Sequence, residues 1–506
     1  MYRRRLAALA VLIALAGTAS CSQSGPSRPA VFSESPCPSD VTAVILEEIT
    51  CGYLTVPERR NRPDGARIRL FVVRIEPPGE PSPDPMIVVG GELGSGNHDY
   101  GSLAPMAART HRRVYLLDQR GTGRSQPNLT CPEVQAQVPT LLGLRQSDPA
   151  AQRAFIGAVR ECRDRLTADN VDLAAYNLAE SAADVADLRL AIGLDEVNLI
   201  GTGTGSRIAI ETLRSQPDGV RTAVLDSPDL PGHDDLTRAV ERTEHALAAV
   251  GKACRLAGDC EDLETDLVGA LRAAVTRLDA TPAMVDVELA GGQLTPVILD
   301  GALLLRTVRQ LMTSNGGRDV PEVTRLLAHA ASGAPITLSP ATMFRLATDE
   351  GMCIGYVPLC EGRLAHGLYY SLLCHDLLPY ATTTETATSR DEPEGYAVAY
   401  RRHPYLDVCD LWDVGEAGTE ITESVTSDVP VLIEIGEYDP YVRLDEVEQA
   451  TAGLTNVYIV EVPHHSYNVF GYFECPRNIR RDWLDNPSAP PADTSCLTTE
   501  IVDPFH

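Results

Sequence analysis

Three short stretches hold the residues that could do chemistry. Gly201-Thr202-Gly203-Thr204-Gly205 follows the apolar run Val197-Asn198-Leu199-Ile200 and precedes Ser206-Arg207-Ile208-Ala209, which reads as the start of a helix. A glycine-flanked strand-to-helix turn of this spacing aims one side chain, ordinarily a serine, at a substrate. The aimed position here is Gly203, which has no atom able to attack an acyl carbon. Later, Gly436-Glu437-Tyr438-Asp439-Pro440 places Asp439 after one apolar run, and Val462-Pro463-His464-His465-Ser466 places a histidine after the next. Nucleophile position, acid and base therefore follow one another in a chain order used by Ser-type triads. Thr202, Thr204 and Ser206 carry hydroxyls beside Gly203, but flanking residues of such a turn point into the sheet or along the helix.

The elements needed to position these residues are legible as alternating strands and helices. Arg67 to Ile75, Ile87 to Val89 and Val114 to Leu117 are apolar and β-branched runs. Short, fully apolar strands belong in a parallel sheet covered on both faces. Glu180 to Ile192 reads as a helix feeding the strand Val197 to Ile200, and Thr222 to Leu225 supplies the strand after the turn helix. Residues 232–405 carry helical segments, Asp235 to Val250, Leu263 to Leu278 and Leu303 to Met312, with few convincing strands. Strand character returns at Val429 to Ile435 and Val457 to Val462. The expectation is an α/β, doubly wound sheet whose halves, residues 37–231 and 406–506, flank an inserted helical cap.

The N-terminus reads as an export signal over residues 1–21: a basic start, an apolar run from Leu6 to Ala16 too short to span a bilayer, then small residues and Cys21. Cys21 is a candidate lipidation site, although Thr18 stands where such signals usually have leucine. Residues 22–36, rich in Ser, Pro and Gly, read as a tether. Setting Cys21 aside leaves twelve cysteines, an even number that in an exported chain predicts six disulfides. No C-x-x-C pair or zinc-spaced histidine accompanies them, so neither metal nor cofactor is expected. A formal charge of −27 argues against nucleic acid and against an anionic membrane surface as direct partners, because a phosphate-tracking face needs a net basic footprint. A membrane is expected only through a lipid anchor at Cys21.

From Cys37 to Cys496 the chain resembles the tripeptidyl aminopeptidase and proline iminopeptidase group of serine hydrolases, within the α/β-hydrolase superfamily. The resemblance is carried by Cys51-Gly52-Tyr53-Leu54-Thr55-Val56-Pro57, by Leu117-Asp118-Gln119-Arg120-Gly121-Thr122-Gly123-Arg124-Ser125, and by Val224-Leu225-Asp226-Ser227. Cys374-His375-Asp376 and Cys409-Asp410-Leu411-Trp412 extend it to the end of the cap. It implies Asp439 as the triad acid and His465 as the base, with His464 one residue away as the alternative. It also implies an oxyanion site at Gly90, Gly91 and Thr204. Two departures stand out: glycine at 203, and Gly90-Gly91-Glu92-Leu93 where the family usually reads Gly-Gly-Pro-Gly. An inward-pointing Glu92 would oppose a developing oxyanion. Three functions follow as expectations: acid–base chemistry by Asp439, His465 and Glu92 on a small molecule or peptide; hydrolysis through a displaced nucleophile; or ligand binding without catalysis.

Overall fold

The computed structural model describes residues 29–45, 47–90, 100–232, 235–257, 266–289, 293–313, 317–334, 336, 364–381, 393–399, 403–469 and 474–499. Gly91, Glu92, Cys21 and the rest of residues 1–21, read above as an export signal, lie outside them.

Nine strands form one sheet: β1 (Val31–Ser35), β2 (Ile49–Pro57), β3 (Arg67–Ile75), β4 (Met86–Val89), β5 (Val114–Leu117), β6 (Val197–Thr202), β7 (Val220–Asp226), β10 (Val431–Gly436) and β11 (Val457–Val462). Their order is β1-β2-β3-β5-β4-β6-β7-β10-β11. The first three strands and the β3–β5 pairing are antiparallel, and from β5 to β11 every pairing is parallel. The chain leaves β4 toward β5 and returns on its other side as β6, so the winding reverses at β4. Crevices at such reversals, outside the carboxyl ends of the strands, are where open α/β sheets bind ligands.

The parallel strands are buried on both faces because each carries apolar side chains at successive positions. Leu199, Ala223, Leu225 and Ile433 face one core, shared with helices α2 (Pro149–Ala168), α3 (Leu178–Ala191), α4 (Thr204–Ser215) and α9 (His403–Trp412). Ile200, Val224 and Leu432 face the other, shared with α1 (Tyr100–Thr110) and α10 (Glu474–Asp485). A third core belongs to the insertion between β7 and β10, built on α5 (Asp235–Ala257), α6 (Leu267–Ala280), α7 (Gly301–Thr313) and α8 (Val320–Ser332). Tyr438, from the turn after β10, is part of that third core.

The structure departs from the sequence reading in two places. The tether assigned to residues 22–36 ends in a strand, β1, paired along β2, where Phe32 lies over Gly52 and a Cβ at Gly52 would come within 2.5 Å of its ring. An edge strand needs little beyond backbone hydrogen bonds, so a polar sequence suffices. The cap contains an antiparallel hairpin, β8 (Ala283–Leu289) with β9 (Gln293–Leu299), whose Val285, Val287, Val297 and Leu299 are buried while Met284 and Leu294 are exposed. Period-two alternation is present there among strong helical segments.

Among the described residues four disulfides join Cys37 to Cys51, Cys131 to Cys162, Cys374 to Cys409 and Cys475 to Cys496. Cys254 is disulfide-bonded as well, and Cys260, Cys353 and Cys360 lie outside the described residues. Among the described residues no helix is long and apolar enough to cross a membrane.

Candidate active site at the carboxyl edge of the sheet

The turn between β6 and α4 is built by three glycines with separate jobs. Gly203 has φ +52° and ψ −121°, a left-handed backbone that side chains resist. A Cβ at Gly205 would sit 2.0 Å from the Val89 carbonyl oxygen, and one at Gly201 2.6 Å from the Ser206 amide. The helix therefore starts hard against β4. The Gly203 amide donates to the Asp226 carbonyl at 3.2 Å, and its carbonyl accepts from the Ser206 amide at 3.0 Å.

The hydroxyls beside Gly203 do not replace a side chain at the apex. The fully buried Ser206 hydroxyl donates to the Gly203 carbonyl and accepts from the Asp229 amide at 3.0 Å, which fixes it inside the turn. Thr202 is the last residue of β6, paired with Asp226, and Thr204 is the buried first residue of α4. Gly90 follows β4, and its carbonyl accepts from the Gln119 side chain at 2.9 Å, so the Asp118-Gln119-Arg120 segment anchors the end of β4.

Asp439 lies in the turn after β10 and is 2% exposed. Its Oδ1 accepts from the Tyr441 amide at 2.8 Å, and Oδ2 is buried without a hydrogen-bond partner. Burial pushes this carboxyl up to about 6, against the Tyr441 amide, the Ser227 hydroxyl, the Val442 amide and the Arg309 charge, all of which favour its ionised form.

His465 lies in the loop after β11 with its Nδ1 3.1 Å from the Pro463 carbonyl, which must accept the Nδ1 proton. Burial brings the ring down to about 4, so it is neutral at pH 7. His464 has φ +56°, the backbone a glycine takes at low cost. His464 turns to the Tyr438 hydroxyl, 2.7 Å from its Nδ1, and its amide donates to Glu437.

The acid turn and the histidine loop are locked together by backbone. The Tyr438 amide donates to the His465 carbonyl at 2.6 Å, and a Cβ at Gly436 would lie 2.4 Å from the Ser466 carbonyl oxygen. The cap closes over both. Arg309 of α7 donates from Nε and Nη2 to the Pro440 carbonyl at 3.3 and 3.2 Å and stacks 3.9 Å over the Tyr441 ring. Gly317, ahead of α8, packs against the Ser466 amide.

Sequence reasoning did not single out Arg309, Tyr441 or, beyond its place in a motif, Ser227. Nothing in the spacing signals them, because their roles depend on the cap and on β7 meeting the acid turn. The one cluster of metal-type ligands among the described residues, Cys131, Glu133 and Cys162, contains a disulfide and offers no thiolate.

A parallel sheet wound both ways, a glycine-built strand-to-helix turn after β6, and an acid and a histidine after the last two strands define an α/β-hydrolase fold. The family model described as alpha/beta hydrolase fold matches residues 84–249, and the one described as TAP-like protein matches residues 396–496. Among curated relatives, serine protease Hip1 of Mycobacterium tuberculosis is 28% identical over 198 residues, 37% of each chain. A tripeptidyl aminopeptidase of Streptomyces coelicolor is 29% identical over 201 residues, 37% of this chain and 36% of the relative. The matched stretch thus spans a little over a third of those relatives. Solved structures similar to the chain include a proline iminopeptidase of Mycobacterium smegmatis, at 14% identity and TM-score 0.37 over 86% of this chain and 98% of that one. An epoxide hydrolase A of Mycobacterium thermoresistibile matches at 17% identity and TM-score 0.36 over 86% and 99%.

Proposed function

We propose that this is an exported protein that binds a small molecule or peptide between the cap and the carboxyl edge of the sheet, with serine-type acyl transfer replaced by acid–base chemistry centred on Asp439. The observation that carries this reading is Gly203 at the apex of the turn, with the Ser206 hydroxyl engaged inside it. A buried carboxyl that holds its proton to about 6 is suited to give and take protons near neutral pH. A histidine brought down to about 4 is a weak base by the same measure. The disulfides support export to an oxidising compartment.

The orientation of Asp439 toward its own turn favours a second reading, a binding protein that keeps the fold without turnover. One set of assays separates these readings from ordinary hydrolysis. Purified protein is exposed to a fluorophosphonate probe and to aminoacyl and peptidyl chromogenic substrates, and a metabolite and peptide panel is screened for binding and turnover. Covalent labelling with substrate cleavage overturns both readings. Turnover abolished by Asp439→Asn supports acid–base chemistry, and saturable binding without turnover supports the binding protein.

A further inference from the structure

We infer that Asp226 is a positioning residue that seats the histidine loop against the glycine turn, its carbonyl holding the Gly203 amide and its carboxyl holding the Val469 amide. The inference rests on the reading of the carboxyl edge of the sheet as the functional site. Asp226 ends β7, pairs in register with Thr202 of β6, and is fully buried. Its main-chain carbonyl accepts from the Gly203 amide at 3.2 Å. Its Oδ1 accepts from the Val469 amide at 3.0 Å and from the Ser227 hydroxyl at 3.3 Å. That hydroxyl in turn accepts from the Asn468 amide at 3.1 Å. Two consecutive amides of the loop that carries His465 therefore end on one carboxyl, Val469 directly and Asn468 through Ser227.

The rest of the loop leans the other way. The His464 ring meets the Tyr438 hydroxyl, the His465 carbonyl accepts from the Tyr438 amide at 2.6 Å, and the Ser466 hydroxyl donates to the Tyr438 carbonyl at 3.2 Å. The Tyr467 ring packs edge-on to Tyr441 with centroids 5.4 Å apart. Residues 464–467 are thus fastened to the acid turn, and residues 468–469 to Asp226 and Ser227. Without the Asp226 carboxyl the acid turn and the histidine loop would still hold each other. The loop would lose its bond to the residue that also holds Gly203, so the histidine and the apex of the glycine turn would no longer share one support. Ser227, which passes the second amide on to Asp226, has φ +45°, a backbone that serine keeps only where its surroundings hold it. Burying a carboxyl completely costs desolvation that an apolar side chain would not incur, and the hydrogen bonds it accepts from the loop offset that cost.

The test uses the full chain and two readouts by mass spectrometry, backbone hydrogen exchange and modification of histidines by diethyl pyrocarbonate. Asp226→Ala removes the carboxyl and leaves the carbonyl that holds Gly203, whereas Asp226→Asn keeps an oxygen acceptor without the charge-assisted bond. The expected result in Asp226→Ala is exchange roughly ten- to a hundredfold faster at Asn468 and Val469, with the amides around Gly203 unchanged. Asp226→Asn should speed the same amides by roughly three- to tenfold. His465, 1% exposed, should pass from unreactive to reactive toward the reagent in Asp226→Ala, while the equally buried His366 stays unreactive. A merely structural role would loosen everything together, so faster exchange around Gly203 and reaction of His366 overturn the proposal. Faster exchange at Val469 with His465 still unreactive overturns it as well, because the loop would then be tied without the histidine being seated. Exchange at Val469 unchanged from wild type does the same. Should Asp226→Ala fail to fold, Asp226→Asn carries both readouts. Turnover or ligand binding that survives Asp439→Asn overturns instead the reading of the site, and leaves the exchange result standing.

Discussion

The Asp439 carboxyl and the His465 ring follow adjacent parallel strands and are joined through backbone, yet they share no hydrogen bond. Asp439 Oδ1 takes the Tyr441 amide, and His465 Nδ1 faces the Pro463 carbonyl. In a working triad the acid orients the histidine and stabilises its charged form. Here a neutral carbonyl does the orienting, and burial leaves the ring unable to hold a proton at neutral pH. The acid, relieved of that duty, retains its own proton to about 6. Glycine at position 203 thus stands beside an Asp439–His465 pair whose members are not hydrogen-bonded to each other in this arrangement.

A hydroxyl placed at position 203 should not by itself produce serine-type chemistry. Gly203→Ser places a side chain on φ +52° backbone, at a cost of about 1–3 kcal/mol. The resulting hydroxyl would meet a histidine brought down to about 4, with the Pro463 carbonyl and not the Asp439 carboxylate at its Nδ1. The expected outcome is a folded, somewhat less stable protein that does not label with a fluorophosphonate. Labelling of the Gly203→Ser variant, with the parent protein unlabelled, would show that the pair recouples when a nucleophile is present.

The close approach at the turn makes a sharper structural prediction. Gly205→Ala drives a methyl to 2.0 Å from the Val89 carbonyl oxygen, a backbone atom that cannot move without displacing β4. Soluble expression should collapse, or stability should fall on the scale of severe overpacking, about 1–3 kcal/mol or more. Gly157→Ala is the control: it lies within helix α2, has nothing within 4 Å of the added Cβ, and should stabilise by about 0.5–1 kcal/mol. Circular-dichroism melts of the two variants read both outcomes.

The sheet was legible because its strands are short, apolar and separated by helical periodicity, and the strand Val457–Val462 matches its sequence reading end to end. The chain order of Gly203, Asp439 and His465 was legible for the same reason, since each follows a strand. What was not legible is how the side chains pair. Spacing places Asp439 after β10, but the Tyr441 amide wins its Oδ1 through the local turn, two residues on. Ser227 gave no sign, because it is marked only by a backbone angle and by hydrogen bonds with Glu434 and Asn468, more than two hundred positions away. The hairpin in the cap was hidden by stronger helical signals on either side.

The buried pair under the sheet offers a test of packing alone. Glu434 of β10 is fully buried and bound by the guanidinium of Arg480 on α10, with Nε to Oε2 at 2.8 Å. Burial raises the Glu434 carboxyl and Arg480 opposes that shift. Arg480→Met leaves an uncompensated carboxyl in the core, with an expected loss of about 3–5 kcal/mol. Adding Glu434→Gln should recover much of it, since a neutral amide tolerates the site better than an orphaned charge. A double-mutant cycle by urea denaturation gives the coupling, and additive losses would show that the pair is not the source of the penalty.

The pH dependence of stability should carry two opposed limbs. His366, fully buried, and His465 are both brought from 6.5 down to about 4 by burial. The unfolded chain takes up these protons near 6.5 and the folded one resists them, so their contribution is intact above 6.5 and is lost as pH falls toward 4. Asp439 acts the other way. Its folded carboxyl keeps a proton to about 6 while the unfolded one releases it near 3.8, so its contribution is full below 3.8 and is lost as pH rises through 6. Asp439→Asn should therefore gain up to about 3 kcal/mol above pH 6 and progressively less toward pH 4. The amide can still accept from Tyr441. His366→Leu should flatten the acid limb and leave the neutral plateau in place. Urea midpoints between pH 4 and 8 decide both, and an Asp439→Asn gain that does not vary with pH would mean the carboxyl is not protonated in the folded site.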